Sequence, residues 1–417
     1  MLEHTPRLTL AAALAALTLP LSAQATDGYF SHGYGVKAQG LAGVGIALPQ
    51  DGLAAATNPA GTAFVGDRAD LGVSWFAPKR SSEIVGNPLA SGSYDANDTS
   101  DFFLPEAGYV KQLSPTTAVG VAVYGNGGMN TDYKRNPYAG FGSTGSAGVN
   151  LEQLFISPSL AYKVTPEHSL GIALNLAYQR FSAKGLSAFA TSSADSANLT
   201  NRGTDSSTGV GVRLGWTGQI TPALTLGATW ASKTNTGKFD KYKGLFADGG
   251  SFDIPANYGV GAAYKATPAL TLAADVQRIE YSGVKSIANP LANLLAGNPL
   301  GSANGAGFGW QDITVYKIGV NYEFSRDLTL RAGYSYNTQP VATNQTLFNI
   351  LAPGVIKQHL SLGGTWKAGN GELSVAYTHA FKNTVNGAGS IPASFGGGEA
   401  NVSLEENIVG VAWGWQL

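Results

Sequence analysis

From about residue 68 to the end of the chain, large apolar side chains alternate with small or polar ones in one long segment after another. Leu170, Ile172, Leu174, Leu176 and Tyr178 share one parity, against Gly171, Ala173, Asn175, Ala177 and Gln179 on the other. Leu270, Leu272, Ala274 and Val276 do the same, as do Ile318, Val320, Tyr322 and Phe324. Successive side chains of a strand point to opposite faces, so each stretch predicts a strand with one greasy face and one polar face. The segments run roughly 10–14 residues, longer than the usual 5–6 of soluble strands and long enough for a tilted bilayer crossing.

The connections alternate too. Short turns fall at Ser114-Pro115, Thr165-Pro166, Thr221-Pro222, Thr267-Pro268, Ser325-Arg326-Asp327 and Gly369-Asn370. Thr-Pro-Ala-Leu-Thr-Leu occurs twice, from Thr221 and from Thr267, and opens a strand each time. Between the short turns lie long connections near residues 79–101, 128–150, 184–207, 233–251, 283–309, 338–354 and 383–401. Short turns at one rim and long loops at the other predict a transmembrane antiparallel β-barrel of about 14 strands. Expected strand centres are Val73, Tyr109, Val121, Leu160, Leu174, Val212, Leu226, Val260, Ala274, Val320, Leu330, Leu362, Val375 and Val411. Closure explains the design: within lipid every backbone polar group needs a protein partner, and a closed sheet has no edge. Val409, Val411, Trp413, Trp415 and Leu417 alternate to the last residue, which makes the final strand the C-terminus. Trp216, Trp230, Trp366, Trp413 and Trp415 are expected near strand ends, in an interfacial girdle.

Charged residues make up only 13% of the 417, against about 25% in soluble domains. The formal net charge of −1 offers nucleic acid no basic field. Cysteine is absent, which removes disulfides and thiolate chemistry. At the start, Arg7 precedes an apolar run over residues 8–21, and Ala23-Gln24-Ala25 supplies a small-x-small cleavage signal. Residues 1–25 therefore read as a secretory signal peptide, although Glu3 dilutes its basic end.

Residues 26–66 do not alternate. They are punctuated by Gly28, Gly33, Gly35, Gly40, Gly43, Gly45 and Gly52 and end in Asn58-Pro59-Ala60-Gly61, where Asn reads as a helix N-cap with Pro at the first helical position. Either the segment is a flexible periplasmic extension or it is a plug folded in the lumen of residues 67–417. A segment so poor in charge and rich in Ala and Leu favours the plug, as does the width of a barrel this size.

Asp27-Gly28-Tyr29-Phe30, the Gly-rich stretch and Asn58-Pro59-Ala60, in that order ahead of a barrel, resemble the FadL/TodX/OmpP1 family of outer-membrane hydrophobic-compound transporters. So do Ile254-Pro255, Tyr258-Gly259-Val260-Gly261, Gly309-Trp310-Gln311-Asp312, Arg331-Ala332-Gly333-Tyr334 and Gln339-Pro340-Val341. The resemblance implies a bacterial outer-membrane barrel closed by an N-terminal hatch. It implies capture of ligand at extracellular loops, a lumenal apolar pocket, and sideways exit through a gap made by an inward kink of the third strand. Gly125-Asn126-Gly127-Gly128 interrupts the alternation there and is the candidate kink, with a plain strand end as the alternative. In family members the hatch Asn-Pro-Ala meets the kink, so Asn58, Pro59 and Ala60 are carried over as gating residues. The expected cargo is a long-chain fatty acid, with aromatic hydrocarbons or alkanes as the alternative, moving by passive diffusion.

Leu291, Leu294 and Leu295 in one loop, and Leu347, Phe348 and Ile350 in another, are candidates for ligand capture; packing against the barrel rim is their plainer role. Arg213, Lys317 and Arg331 lie on the inward parity and could pair with a cargo carboxylate, though structural ion pairs are the commoner use. His32, His168, His359 and His379 show no metal-ligand spacing, and no hydrolase elbow or paired carboxylates stand out, so neither a metal, a cofactor nor an enzyme is expected. A general porin would carry more charge. The expected partners are a hydrophobic small molecule, outer-membrane lipid and lipopolysaccharide, with no nucleic acid and a monomeric state.

Overall fold

The computed structural model describes residues 26–417, so the expected signal peptide lies outside the described residues. Of the sixteen strands in its single sheet, two are short: Gly92–Asp95 and Asn235–Thr236, both paired at the long-loop rim. The other fourteen are β1 (Arg68–Val85), β2 (Phe102–Gln112), β3 (Thr117–Tyr133), β4 (Ala147–Lys163), β5 (His168–Lys184), β6 (Asp205–Gln219), β7 (Leu224–Ala231), β8 (Asn257–Thr267), β9 (Leu270–Ile279), β10 (Ile313–Glu323), β11 (Leu328–Asn337), β12 (Gln358–Ala368), β13 (Gly371–Val385) and β14 (Glu399–Gln416). Each pairs antiparallel with its chain neighbour, and β14 returns to β1 from Arg68↔Gln416 to Val85↔Glu399, closing the barrel. Every expected strand centre falls in its own strand.

Strand lengths differ from the expectation. β1 and β14 have 18 residues and β3, β4 and β5 have 17, so these strands continue past the bilayer into the loop region. The connections expected at 79–101 and 128–150 are shorter as a result. In β1 the outward positions turn polar at Lys79, Ser81 and Glu83, all exposed, and in β3 and β4 both faces are buried, which is why the apolar-outward pattern stopped early.

Five of the six short turns share one device, and Gly369-Asn370 is the exception. Oγ1 of Thr165 accepts the amides of Glu167 and His168, Thr221 those of Ala223 and Leu224, and Thr267 those of Ala269 and Leu270. Ser114 and Ser325 act alike through Oγ. A hydroxyl two or three residues ahead of the new strand thus satisfies the amides that the turn frees.

The outward parity is apolar and exposed: Leu170 52%, Ile172 43%, Leu174 44%. On the inward parity, polar side chains bond one another across strands, as Gln153 Nε2 donates to Gln179 Oε1 (3.1 Å) and Ser157 Oγ to Asn175 Oδ1 (3.1 Å). Trp366, Trp413 and Trp415 lie beside the short-turn rim and Trp230 at the other end, the placement a girdle requires. None of the described helices is long and apolar enough to cross a membrane. The outward face of β5 makes a direct test. Leu174→Arg should cost about 2–4 kcal/mol in urea-dependent folding into liposomes, with Leu174→Ala far milder; equal effects would contradict a lipid-facing β5.

Candidate functional site

Residues 26–66 contain only short helical turns, Val36–Gln39, Ala54–Thr57 and the 3-10 turn Pro59–Phe64, and are almost wholly buried. Such a segment leaves many backbone amides without internal partners, and a buried unpaired amide costs about 1–3 kcal/mol. Carboxylates projecting inward from the wall supply the partners. Glu106 of β2 accepts the amides of Gly35 (3.1 Å) and Val36 (3.0 Å). Asp275 of β9 accepts those of Gly45 (2.8 Å) and Ile46 (3.0 Å) through one oxygen, and Asp70 of β1 accepts that of Gly52 (2.8 Å). At the short-turn end, Gln50 is held by Arg68 and Lys37 on its carbonyl and by Arg331 on its side chain, while Lys37 and Arg68 both pair with Glu372. Glycine lets the backbones meet: a Cβ on Gly108 would lie 2.4 Å from the Gly52 carbonyl carbon.

Asn58 caps the Pro59–Phe64 turn, its Oδ1 accepting the Ala60 amide at 3.1 Å. Its Nδ2 donates to Ile46 O (2.8 Å), Trp216 O (2.9 Å) and Thr217 Oγ1 (3.0 Å), tying two parts of the segment to β6. Pro59 and Ala60 lie over Gly171 of β5 and Gly215 of β6, where a Cβ would meet them at 2.2 and 2.9 Å. Asn58-Pro59-Ala60 therefore meets β5 and β6, not Gly125–Gly128 as the resemblance implied. The Gly125–Gly128 stretch of β3 is met instead by the start of the segment.

There β3 breaks from its neighbour. It pairs with β2 only from Ala118↔Gln112 to Val123↔Ala107, although β2 continues along β1 to Phe102. On the other side the register with β4 slips between Gly125 and Gly127, leaving Asn126 as an extra residue. Tyr29, Phe30 and Ser31 take the vacated place: Ser31 N donates to Asn126 O (2.8 Å), Gly128 N donates to Tyr29 O (2.9 Å), and Phe30 bridges Gly127. Leu104 of β2, buried, stands against Gly125, and a cleft of ≈ 330 Å³ above the break is lined by Phe76, Arg80, Met129, Asn130, Pro353 and Glu406, among others.

Beneath the long loops lies a small apolar pocket, lined chiefly by Phe181, Leu186, Phe189, Phe246, Phe308 and Phe348. Of the six loop residues expected to capture ligand, only Phe348 lines it. Leu347, Ile350 and Leu291 are buried in the loop core, Leu294 packs against it, and Leu295 is exposed. The loops thus pack as a lid on the rim, and the phenylalanines that make the pocket come from β5 and from loops whose period the alternation could not read.

Lys317 is committed to the N-terminal segment: its Nζ pairs with Asp27 (3.2 Å) and donates to His32 O (2.8 Å). Arg331 bonds Gln50 and Thr365. Arg213 is different. It is buried, reaches Thr57 O at 3.2 Å, has no partner at Nε, and among the described residues has no carboxylate within the 4.0 Å of an ion pair. It lines a polar cavity of ≈ 440 Å³ with Phe30, Tyr34, Asp275 and Lys317.

Residues 22–413 match the family described as outer membrane protein transport protein (OMPP1/FadL/TodX). No curated protein sequence matches the chain. The fold resembles the P. putida toluene transporter TodX (TM-score 0.69, 20% identity, 93% of this chain and 99% of that one). A Pseudomonas aeruginosa FadL homologue is similar at TM-score 0.71 and 18% identity, over 93% and 99% of the two chains. The Ralstonia pickettii toluene transporter TbuX follows at 0.63 and 18%, over 92% and 98%.

Two measurements probe the seating. Asp275→Ala orphans two buried amides, so planar-bilayer leak should rise while heat-modifiable gel migration still reports a folded barrel; unchanged leak would contradict the role of Asp275. Burial, and then the neighbouring Asp70 carboxylate, push Asp51 up to about 6 from its ordinary 3.8. A raised acid favours the seated state below its ordinary value, and that contribution is lost as pH rises through the seated value. Leak should therefore fall between pH 7.5 and pH 5, and Asp51→Asn should flatten the response; an unaltered profile in the variant would contradict this.

Proposed function

The chain belongs to the OMPP1/FadL/TodX family of outer-membrane transport proteins, and on that premise we propose that it takes long-chain fatty acids into the cell by passive, lateral diffusion. The observation that carries the reading is the loss of pairing between β2 and β3 above Val123, filled by Tyr29, Phe30 and Ser31. Unpaired ladder groups are costly at membrane depth, so a break held closed by a separate segment fits a built opening. Cargo enters the phenylalanine-lined pocket under the loops, gaining roughly 0.8 kcal/mol for each methylene removed from water. Withdrawal of the N-terminal segment, the hatch, then opens the break, and the cargo leaves sideways into lipid without crossing a water-filled pore. Gly125, Asn126, Gly127 and Gly128 form the moving edge. Asn58, Pro59 and Ala60 hold the hatch to β5 and β6 as its fixed end. Arg213, a buried cation without a carboxylate, supports an anionic headgroup, since burying an unpaired charge is costly. We further propose that the barrel works as a monomer, its outward face in outer-membrane lipid and lipopolysaccharide, after cleavage of a signal peptide.

A second reading is a monoaromatic hydrocarbon as cargo, favoured by the aromatic lining of the small pocket under the loops. TodX and TbuX are titled toluene transporters. Radiolabelled oleate and toluene uptake, in cells lacking their own fatty-acid channel, separates the two. The first reading expects wild type to restore oleate uptake, and Arg213→Leu and Asn58→Ala each to reduce it several-fold. Toluene uptake with oleate at background would support the second. Background for both, with the barrel present in the outer membrane, would overturn both.

A further inference from the structure

The sequence showed no metal-ligand spacing among its histidines, yet the fold brings two of them together from opposite ends of the chain. The imidazoles of His32, in the N-terminal segment, and His359, in β12, have ring centroids 4.3 Å apart. Asp27 joins them: one ligand atom from each of the three residues lies within 4.8 Å of the other two. All three side chains are buried.

The unused atoms are the informative ones. Asp27 Oδ1, His32 Nδ1 and His359 Nε2 are each buried without a hydrogen-bond partner. Their opposite atoms are occupied. Asp27 Oδ2 is paired with Lys317 Nζ (3.2 Å), His32 Nε2 lies 3.4 Å from Ser361 Oγ, and His359 Nδ1 lies 2.9 Å from Ser335 Oγ. If each imidazole donates its N–H to its serine, the tautomers leave a lone pair on His32 Nδ1 and on His359 Nε2. That is the arrangement of metal-binding histidines, whose second nitrogen is oriented by an oxygen behind it. Three buried polar atoms left unpaired by chance would cost about 1–3 kcal/mol each.

We propose that Asp27 Oδ1, His32 Nδ1 and His359 Nε2 bind one divalent first-row transition-metal ion, a site that clamps the N-terminal segment to the wall. Two imidazoles and a carboxylate suit zinc and its neighbours, with solvent or a cargo oxygen completing the shell. Bonds of about 2.0–2.2 Å set tetrahedral ligand atoms about 3.4 Å apart, and the three residues bring ligand atoms within 4.8 Å of one another, near enough for side-chain rotation to close the shell. Lys317 opposes the ion electrostatically but holds the far oxygen of Asp27, so the pair and the ion occupy opposite sides of one carboxylate. The ion would join residues 27 and 32 to residue 359, so it would act on seating of the segment whatever the cargo.

The test uses untagged full-length protein in detergent, stripped with chelator and then titrated with Zn2+ by calorimetry and with Co2+ by visible absorption. One ion per chain is expected, with a Co2+ spectrum carrying imidazole ligation. Asp27→Asn, His32→Ala and His359→Ala should each weaken binding about tenfold or more, and His379→Ala, outside the set, should bind as wild type. Heat-modifiable gel migration checks that each barrel is folded, and His359→Gln, which keeps side-chain bulk toward Ser335, replaces His359→Ala if that variant does not fold. Absence of stoichiometric binding by wild type, or binding untouched by the His32 and His359 variants, would overturn the site.

Discussion

Carboxylates of the barrel wall that accept backbone amides of the N-terminal segment are the contact on which the rest of the molecule depends. The wall by itself is self-sufficient, because each strand satisfies its neighbours and the outward face satisfies lipid. The segment inside is not. It has too little regular structure to bond its own amides, and little water reaches it. Glu106, Asp275 and Asp70 meet those amides at 2.8–3.1 Å, Asp70 and Glu106 from the neighbouring strands β1 and β2 and Asp275 from β9. Each takes up amides that would otherwise be buried unpaired, at about 1–3 kcal/mol apiece, so three acidic side chains hold a segment that has almost no secondary structure. The same bonds are few and local, so the segment can be displaced without disturbing the sheet.

The break in β3 follows from that arrangement. Tyr29, Phe30 and Ser31 substitute for β2 along Asn126–Gly128, and the Tyr29 amide is itself held by Tyr281 Oη at 3.1 Å. Removing the segment therefore exposes backbone groups of β3 just where the wall lacks a neighbour. On the proposed route, opening of the wall and displacement of the segment would therefore be one event. Asn58, anchored on Trp216 and Thr217, lies on the other side of the segment and gives that movement a fixed point.

The strands were legible because a bilayer enforces period two with large residues outward. Val73 to Val411 each mark a strand centre for that reason. The short turns were legible through their Ser or Thr, whose hydroxyls do the bonding seen at Thr165, Thr221 and Thr267. Strand ends were not, because towards the loops the outward positions of β1 and β14 turn polar, as at Lys79, Ser81, Glu83, Ser403 and Glu405, and the apolar-outward rhythm loses its cause. The site was legible only in part. Asn58 could be read as a cap from Asn-Pro, but its contact with Thr217 spans 159 positions and leaves no local mark. Phe181 and Phe246 share a pocket for the same kind of reason, and His32 and His359 meet across 327 positions, where no spacing rule applies. Leu347 and Ile350 looked like capture residues because apolar loops are conspicuous, but burial in the loop core accounts for them.

Hydrogen exchange of the N-terminal amides, read by mass spectrometry on the folded protein in lipid, addresses the central claim most directly. Gly35, Val36, Gly45 and Ile46 should exchange as slowly as the amides of the wall. Glu106→Gln should speed exchange at the first pair alone, and Asp275→Asn at the second pair alone. Exchange of these amides in the wild type at the rate of exposed loops, or no change in either variant, would contradict a plug held by carboxylates.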